Sequence, residues 1–361
     1  PEGYMFLFGG EADSYLRIDD ALREMVGEVQ TDKFWRDFQR NYITREDINY
    51  IAKTGMNTVR LPFNHRLLGD APFMGHSSKQ HGYEVLDNVI GWCRNAGLYV
   101  VLDMHTAPGG QTGMNIDDSY GYPWLLTEEE NKAEYCRLWK ELAEHYKDEP
   151  TIIAYDLLNE PVASEFFPQD TAMFKRELEA LFRRVISDIR TVDTNHVVMV
   201  SGAYWGQDYT LFNDINYDDN LMFTCHRYHS EPTKEGYHDF FEWREKFNRP
   251  FYMGEAGHEP DEWIQRFCSM LNRENMGWTL WPYKKMNGKN SQTSALGITP
   301  PADWAIVTDF IKANRSTYKD IRENRPDQQK ARATLAEFLE AIKFQHCVIN
   351  KGYISAMGMQ P

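Results

Sequence analysis

The chain has 361 residues, 42% of them hydrophobic, enough to bury one large α/β barrel or two ordinary domains. A formal net charge of −15 and an isoelectric point near 5.2 count against nucleic acid or an anionic membrane surface as a partner. No apolar run is long enough to cross a membrane as a helix.

Cys93, Cys136, Cys225, Cys268 and Cys347 are odd in number, scattered and without CxxC spacing, so buried free thiols are expected rather than a disulfide framework or a zinc site. With no internal repeat or low-complexity linker, residues 1–361 read as one domain: an N-terminal segment with helices (1–43), a core (44–320) and a helical tail (321–361).

In chain order, Tyr4–Phe8 is an apolar run, and Ser14–Met25 and Asp32–Asn41 read as helices. Thr44 with Asp47 three positions on resembles a capping box, opening a helix that ends at Gly55, a C′ glycine. A regular alternation follows. Strands are predicted at Asn57–Leu61, Leu98–Asp103, Ile152 onward, His196–Val200, Leu221–Cys225, Phe251–Met253 and Trp278–Leu280. Helices are predicted at Tyr83–Asn95, Glu128–Tyr146 (Thr127 and Glu130 placed for another box), Met173–Ile189, Tyr237–Lys246, Asp261–Asn272 and Asp303–Ala313. Arg332–Phe344 reads as an amphipathic helix packed on the outside of the core. Alternating strands and helices imply a parallel sheet with right-handed crossovers, and seven strands is one short of a (β/α)8 TIM barrel. Polar residues recur at the strand C-termini, where such a barrel keeps its active site. An open dinucleotide-binding sheet would carry a Gly-rich loop after its first strand, and Gly109-Gly110 is too little for that.

The run Ile152-Ile153-Ala154-Tyr155-Asp156-Leu157-Leu158-Asn159-Glu160-Pro161 begins as a buried strand and ends in an amide, a carboxylate and a proline. It delivers Asn159 and Glu160 to the strand's C-terminal mouth, where Pro161 stops the ladder. Phe251-Tyr252-Met253-Gly254-Glu255 ends in the same way. Two strands presenting a glutamate at one end suggest the carboxylate pair of a retaining glycosidase, with Glu160 as general acid/base and Glu255 as nucleophile. Gly254, Ala256 and Gly257 around Glu255 are expected to leave room for a substrate.

Thr58-Val59-Arg60-Leu61-Pro62-Phe63, Asp103-Met104-His105, Leu158-Asn159-Glu160-Pro161, His226-Arg227-Tyr228, Gly254-Glu255 and Trp278-Thr279-Leu280-Trp281 together resemble the motif series of glycoside hydrolase family 5. They occur in the family's order over roughly residues 44–285. The resemblance implies a (β/α)8 barrel, retention of anomeric configuration, and neither metal nor cofactor. It implies that Arg60 sits beneath the nucleophile, Asn159 donates to the sugar 2-OH and Tyr228 hydrogen-bonds Glu255. It further implies that His105 and His226 line the glycone site and Trp281 forms a floor under the sugar. Glu2 would touch the terminal sugar and Lys284 would reach a glucose hydroxyl.

In these relatives the first barrel strand lies just before the position of Glu2, so it is expected to be missing here, or replaced by Tyr4–Phe8 or by a neighbouring chain. The loop His105–Gln111 resembles the exo-β-1,3-glucanase and cellulase branches, whereas Trp281–Asn287 looks closer to bacterial endoglucanases. The loop Gly109–Leu126, with Tyr120, Tyr122 and Trp124, is expected either to cap one end of a cleft or to form a surface patch. The expected substrate is a β-linked glucan or glucoside. Another β-glycoside (a mannan, a xyloglucan fragment, a glycolipid) or a catalytically dead carbohydrate-binding barrel are the alternatives. Secretion, the periplasm or the cell surface is the expected location, with the cytoplasm as alternative.

Overall fold

Helical periodicity at the start of the chain becomes three helices, α1 (Tyr15–Val26), α2 (Glu28–Asn41) and α3 (Arg45–Lys53). They are seen in a computed structural model that describes residues 12–286 and 293–361; Glu2 and Tyr4–Phe8 lie outside the described residues. The capping box of α3 forms as its sequence announces, with Asp47 Oδ2 accepting from Thr44 N at 2.8 Å and from Thr44 Oγ1 at 2.9 Å. Such a cap contributes about 1 kcal/mol.

The alternation then proceeds through β1 (Thr58–Asn64), α4 (Lys79–Ala96), β2 (Tyr99–Thr106), α5 (Glu129–Tyr146), β3 (Ile152–Asp156) and α6 (Thr171–Arg190). It continues with β4 (Val197–Ser201), β5 (Leu221–His226), α7 (His238–Phe247), β6 (Phe251–Glu255), α8 (Asp261–Arg273) and β7 (Gly277–Trp278). Gly97 closes α4 in the left-handed region (φ 74°), where a side chain would be strained. The second predicted box does not form. Thr127 closes the preceding turn onto Trp124 O, and Glu128 becomes the cap residue of α5.

The seven strands form one sheet in chain order, each neighbouring pair parallel. This is the winding of a (β/α)8 barrel. Among the described residues β1 and β7 have no strand partner on their outer edges. A cavity of about 580 Å3 runs along them, lined by Val59, Leu61, Trp278 and Leu280 among others.

The strand period of two puts Val101, Asp103 and His105 on one face of β2, and Ala154 and Asp156 on one face of β3. Val101, Ala154, Met199 and Tyr252 pack together as an apolar floor. Polar residues succeed them toward the strand C-termini. The other face packs on the helices, with Trp139, Tyr155, Phe182 and Phe223 fully buried. All five cysteines are free, and Cys347 alone is not fully buried.

The tail begins with α9 (Ala305–Lys312), α10 (Tyr318–Asn324) and α11 (Gln328–Ala341). Phe338 of α11 stacks on Phe34 and Phe38 of α2 and on Trp304 before α9, so these helices share an apolar cluster of their own. A second sheet was not foreseen. Its strands β8 (Lys284–Met286), β9 (Leu296–Ile298) and β10 (Val348–Ile349) are too short to show alternation. The chain closes with α12 (Lys351–Ala356).

The expectation that Lys284 reaches a sugar hydroxyl is overturned here. Its ammonium is buried, 2.7 Å from Asp47 Oδ1, and donates to the carbonyls of Tyr42 and Ile342. All its donors thus tie α2, α3 and the end of α11 to β8. We expect Lys284→Met to destabilise the fold by about 3–5 kcal/mol, because Asp47 would be left buried without a countercharge. Thermal unfolding measures this, and an unchanged midpoint would contradict it.

Candidate active site

A buried arginine on the inner side of β1 needs acceptors for its donors, and other strands and the segment after β3 supply them. Arg60 of β1 donates from Nε to Asp156 Oδ2 at 2.8 Å, from Nη1 to Glu255 Oε1 at 2.6 Å and from Nη2 to Asn159 Oδ1 at 3.0 Å. Its Nη2 also lies 3.2 Å from Asp103 Oδ1. Asp103 Oδ2 in turn faces His105 Nδ1 at 2.8 Å. The Asn159 amide lies 3.4 Å from His105 Nε2, the geometry of a donor to that nitrogen when Nδ1 carries the proton toward Asp103.

Glu160 and Glu255 meet above this layer. A register irregularity between Cys225 and His226 sets His226 opposite Glu255, and His226 stands between the two glutamates. Its Nδ1 is 3.0 Å from Glu160 Oε1 and 3.8 Å from Glu255 Oε2. Tyr228 donates its hydroxyl to Glu255 Oε2 at 2.8 Å. One oxygen of each glutamate and one nitrogen of His226 lie within 4.8 Å of one another. That spacing suits a cation too. The Arg60 guanidinium at 2.6 Å from Glu255 is already there, and a metal would have to sit beside its like charge.

Burial pushes the Glu255 carboxyl above the ordinary glutamate range, and the neighbouring Glu160 adds to the rise; His226 and Arg60 restrain it without cancelling it. Burial also lifts Asp156, to about 7, against the pull of Arg60. Asp103 goes the other way: burial opposes its ionisation, but Arg60 and His105 outweigh burial and hold it low. Burial drops His226 to about 4, so its imidazole is neutral at neutral pH.

Trp281 follows β7 through a bridge to Gly257, and its peptide bond to Pro282 is cis. Its ring stacks on His105 with centroids 5.2 Å apart and planes 7° apart. The indole Nε1 has no partner among the described residues. Arg60, His105, Asn159, Glu160, His226, Tyr228, Glu255 and Trp281 thus converge, while Lys284 lies elsewhere and Glu2 is outside the described residues.

Gly254 has a different purpose from the one expected. A Cβ there would stand 2.5 Å from Thr224 Oγ1 and 2.8 Å from His226 Nε2, so the space it leaves is filled by the protein's own side chains. In the loop after β2, Tyr122 donates to Asp170 and packs on Trp124, Phe167 and Phe174, while Tyr120 and, less fully, Trp124 are exposed. The sequence reading gave no role to Asp103 or Asp156. The available signal was a carboxylate within an apolar strand, which requires a buried cation.

Residues 22–287 match the family model described as Cellulase (glycosyl hydrolase family 5). The chain belongs to glycosyl hydrolase family 5. A "Beta-xylosidase" of Phanerodontia chrysosporium is 28% identical over 304 residues, 74% of this chain and 62% of that protein, so this family 5 chain spans under two thirds of its relative. "Endoglucanase C" of Acetivibrio thermocellus is 25% identical over 316 residues, 70% of this chain and 88% of that protein. Among solved structures, an endoglucanase from the hyperthermophilic Thermotoga maritima superposes with a TM-score of 0.54 at 21% identity, covering 79% of this chain and 90% of that one. At that identity the likeness is one of fold, and it fits a (β/α)8 barrel.

The Tyr228 hydroxyl stabilises the ionised form of Glu255. Tyr228→Phe should therefore raise the Glu255 pKa further, since the ionised carboxylate loses a charge-assisted hydrogen bond. A carboxyl 13C NMR titration reads the shift, and an unmoved midpoint would contradict this account.

Proposed function

We propose that this family 5 chain hydrolyses the O-glycosidic bonds of β-glucans or β-glucosides with retention of configuration, by double displacement. The observation that carries the reading is the approach of Glu160 and Glu255, whose oxygens come within 4.8 Å across His226. Retaining glycosidases hold their carboxyls about 5–5.5 Å apart, whereas inverting ones need roughly 6.5–9.5 Å to admit a water.

In the first step a Glu255 oxygen attacks the anomeric carbon as the glycosidic bond breaks, and Glu160 gives its proton to the departing oxygen. In the second, Glu160 takes a proton from water, which attacks the same carbon and releases Glu255. Arg60 and Tyr228 each engage a different oxygen of Glu255, which fixes the carboxylate's orientation for attack. His226, neutral, contacts Glu160 without adding charge, so it leaves Glu160 free to exchange its proton. Asn159, oriented by Arg60, has a second amide N–H beside the one facing His105 with which to donate to a 2-OH, a contact that strengthens as the sugar flattens toward the oxocarbenium ion. Trp281, stacked on His105, offers an indole plane for the glycone.

The β-glucan assignment draws support from family membership and from the endoglucanase names among relatives. The name of the xylosidase favours a second reading, in which a β-xyloside occupies the same site. A dead sugar-binding barrel fits poorly with two glutamates that keep all their supporting groups. A complete eightfold barrel needs one more strand, and the outer edges of β1 and β7, unpaired among the described residues, are where it fits.

Glu160→Ala should lower turnover of an aryl β-glucoside by about 10²–10⁴, as for loss of a general acid; wild-type turnover would remove the assignment. A 2-fluoroglucoside should label Glu255 covalently, and a peptide map with the label on another residue would overturn the nucleophile.

A further inference from the structure

Glu160 is held in a backbone conformation that its own side chain disfavours. Its φ is 41°, and Val162, two residues on, has φ 62°. A non-glycine residue in the left-handed region costs roughly 1–3 kcal/mol and persists only where surrounding contacts over-determine it. The contacts that do so come mainly from one residue of the loop after β2.

Gln111 is completely buried, and each polar atom of its side chain is used. Its Nε2 donates to His105 O at 2.8 Å and to Asn159 O at 2.9 Å, while its Oε1 accepts from Ala107 N at 3.1 Å. Two carbonyls on one side and an N–H on the other fix the orientation of the amide. Its main-chain carbonyl accepts from Val162 N at 3.0 Å. Gln111 therefore grips the chain immediately before Glu160 and two residues after it.

The grip is itself braced. Buried Asp117 accepts from Gln111 N at 2.6 Å, from Thr112 Oγ1 at 2.6 Å and from Ser119 N at 3.0 Å. Gly110 lies where a Cβ would strike Ser119, so the loop closes tightly over Asp117. With its donors and acceptor all spent on the protein, the Gln111 side chain has nothing left with which to bind a sugar.

We infer that Gln111 is the positioning residue for Glu160: its side-chain amide and its carbonyl hold the strained Asn159–Val162 turn, and so aim the Glu160 carboxyl at the leaving oxygen. The inference rests on the proposed acid/base role of Glu160 and says how the fold secures it. Misplacing such a group by about 1 Å can cost on the order of a hundredfold. That loss falls on substrates whose leaving group needs a proton and spares those whose leaving group departs unaided.

The test compares kcat/KM for phenyl β-glucoside and 2,4-dinitrophenyl β-glucoside in the wild type, Glu160→Ala, Gln111→Met and Gln111→Glu. Gln111→Glu keeps the side-chain shape, and Gln111→Met keeps its length without polar atoms. Both Gln111 variants should lose roughly ten- to a hundredfold on the phenyl substrate and less than about threefold on the dinitrophenyl one. Glu160→Ala should show the same bias more strongly. Equal losses on both substrates, no loss on either, or collapse of the fold in both variants would overturn the positioning role. If Glu160→Ala itself lacks the bias, the acid/base reading fails instead, and the two failures are thereby told apart.

Discussion

One buried cation organises this site. The Arg60 side chain is 4% exposed and touches three carboxylates, Asp103, Asp156 and Glu255. An unpaired charge at such depth would cost several kcal/mol, so the arginine demands partners; three carboxylates around it then exceed its single charge. Burial first, and the crowding of carboxylates after it, shift their pKa values. Asp156 rises to about 7 and Glu255 rises too, while Asp103, paired also with His105, stays low. The interaction that positions Glu255 therefore also sets how readily it ionises. Strands from distant parts of the chain are tied together by the same guanidinium.

Glu160 is secured by different means. Its carboxylate lies against His226, which is neutral. What fixes it is the backbone on either side, bent into the left-handed region and held from the loop after β2. The two glutamates thus differ in environment as their proposed roles require: one is anchored by charge beneath it, the other by the shape of its turn.

Much of this was legible in the sequence. Carboxylates ending the apolar runs Ile152–Pro161 and Phe251–Glu255 have no place in a core, and the two meet at His226. Arg60, His105, Asn159, His226, Tyr228 and Trp281 gather there as the motif series suggested. What stayed hidden depends on contacts across long separations. Lys284 was expected at a glucose hydroxyl because nothing near it in sequence reveals Asp47. The role of Gly254 lies in Thr224 and His226, on the neighbouring strand. Asp156 was written into the central strand, but only the fold brings Arg60 against it. The loop His105–Gln111 stood out in the sequence, but the grip of Gln111 on Asn159, 48 residues on, shows only in the fold.

The most direct test of the central claim is the stereochemistry of the first product. Proton NMR during hydrolysis of an aryl β-glucoside should show the β-anomer first, with the α-anomer growing only by mutarotation. Initial appearance of the α-anomer would mean a single displacement, and Glu255 could not then be a nucleophile facing Glu160 across one sugar.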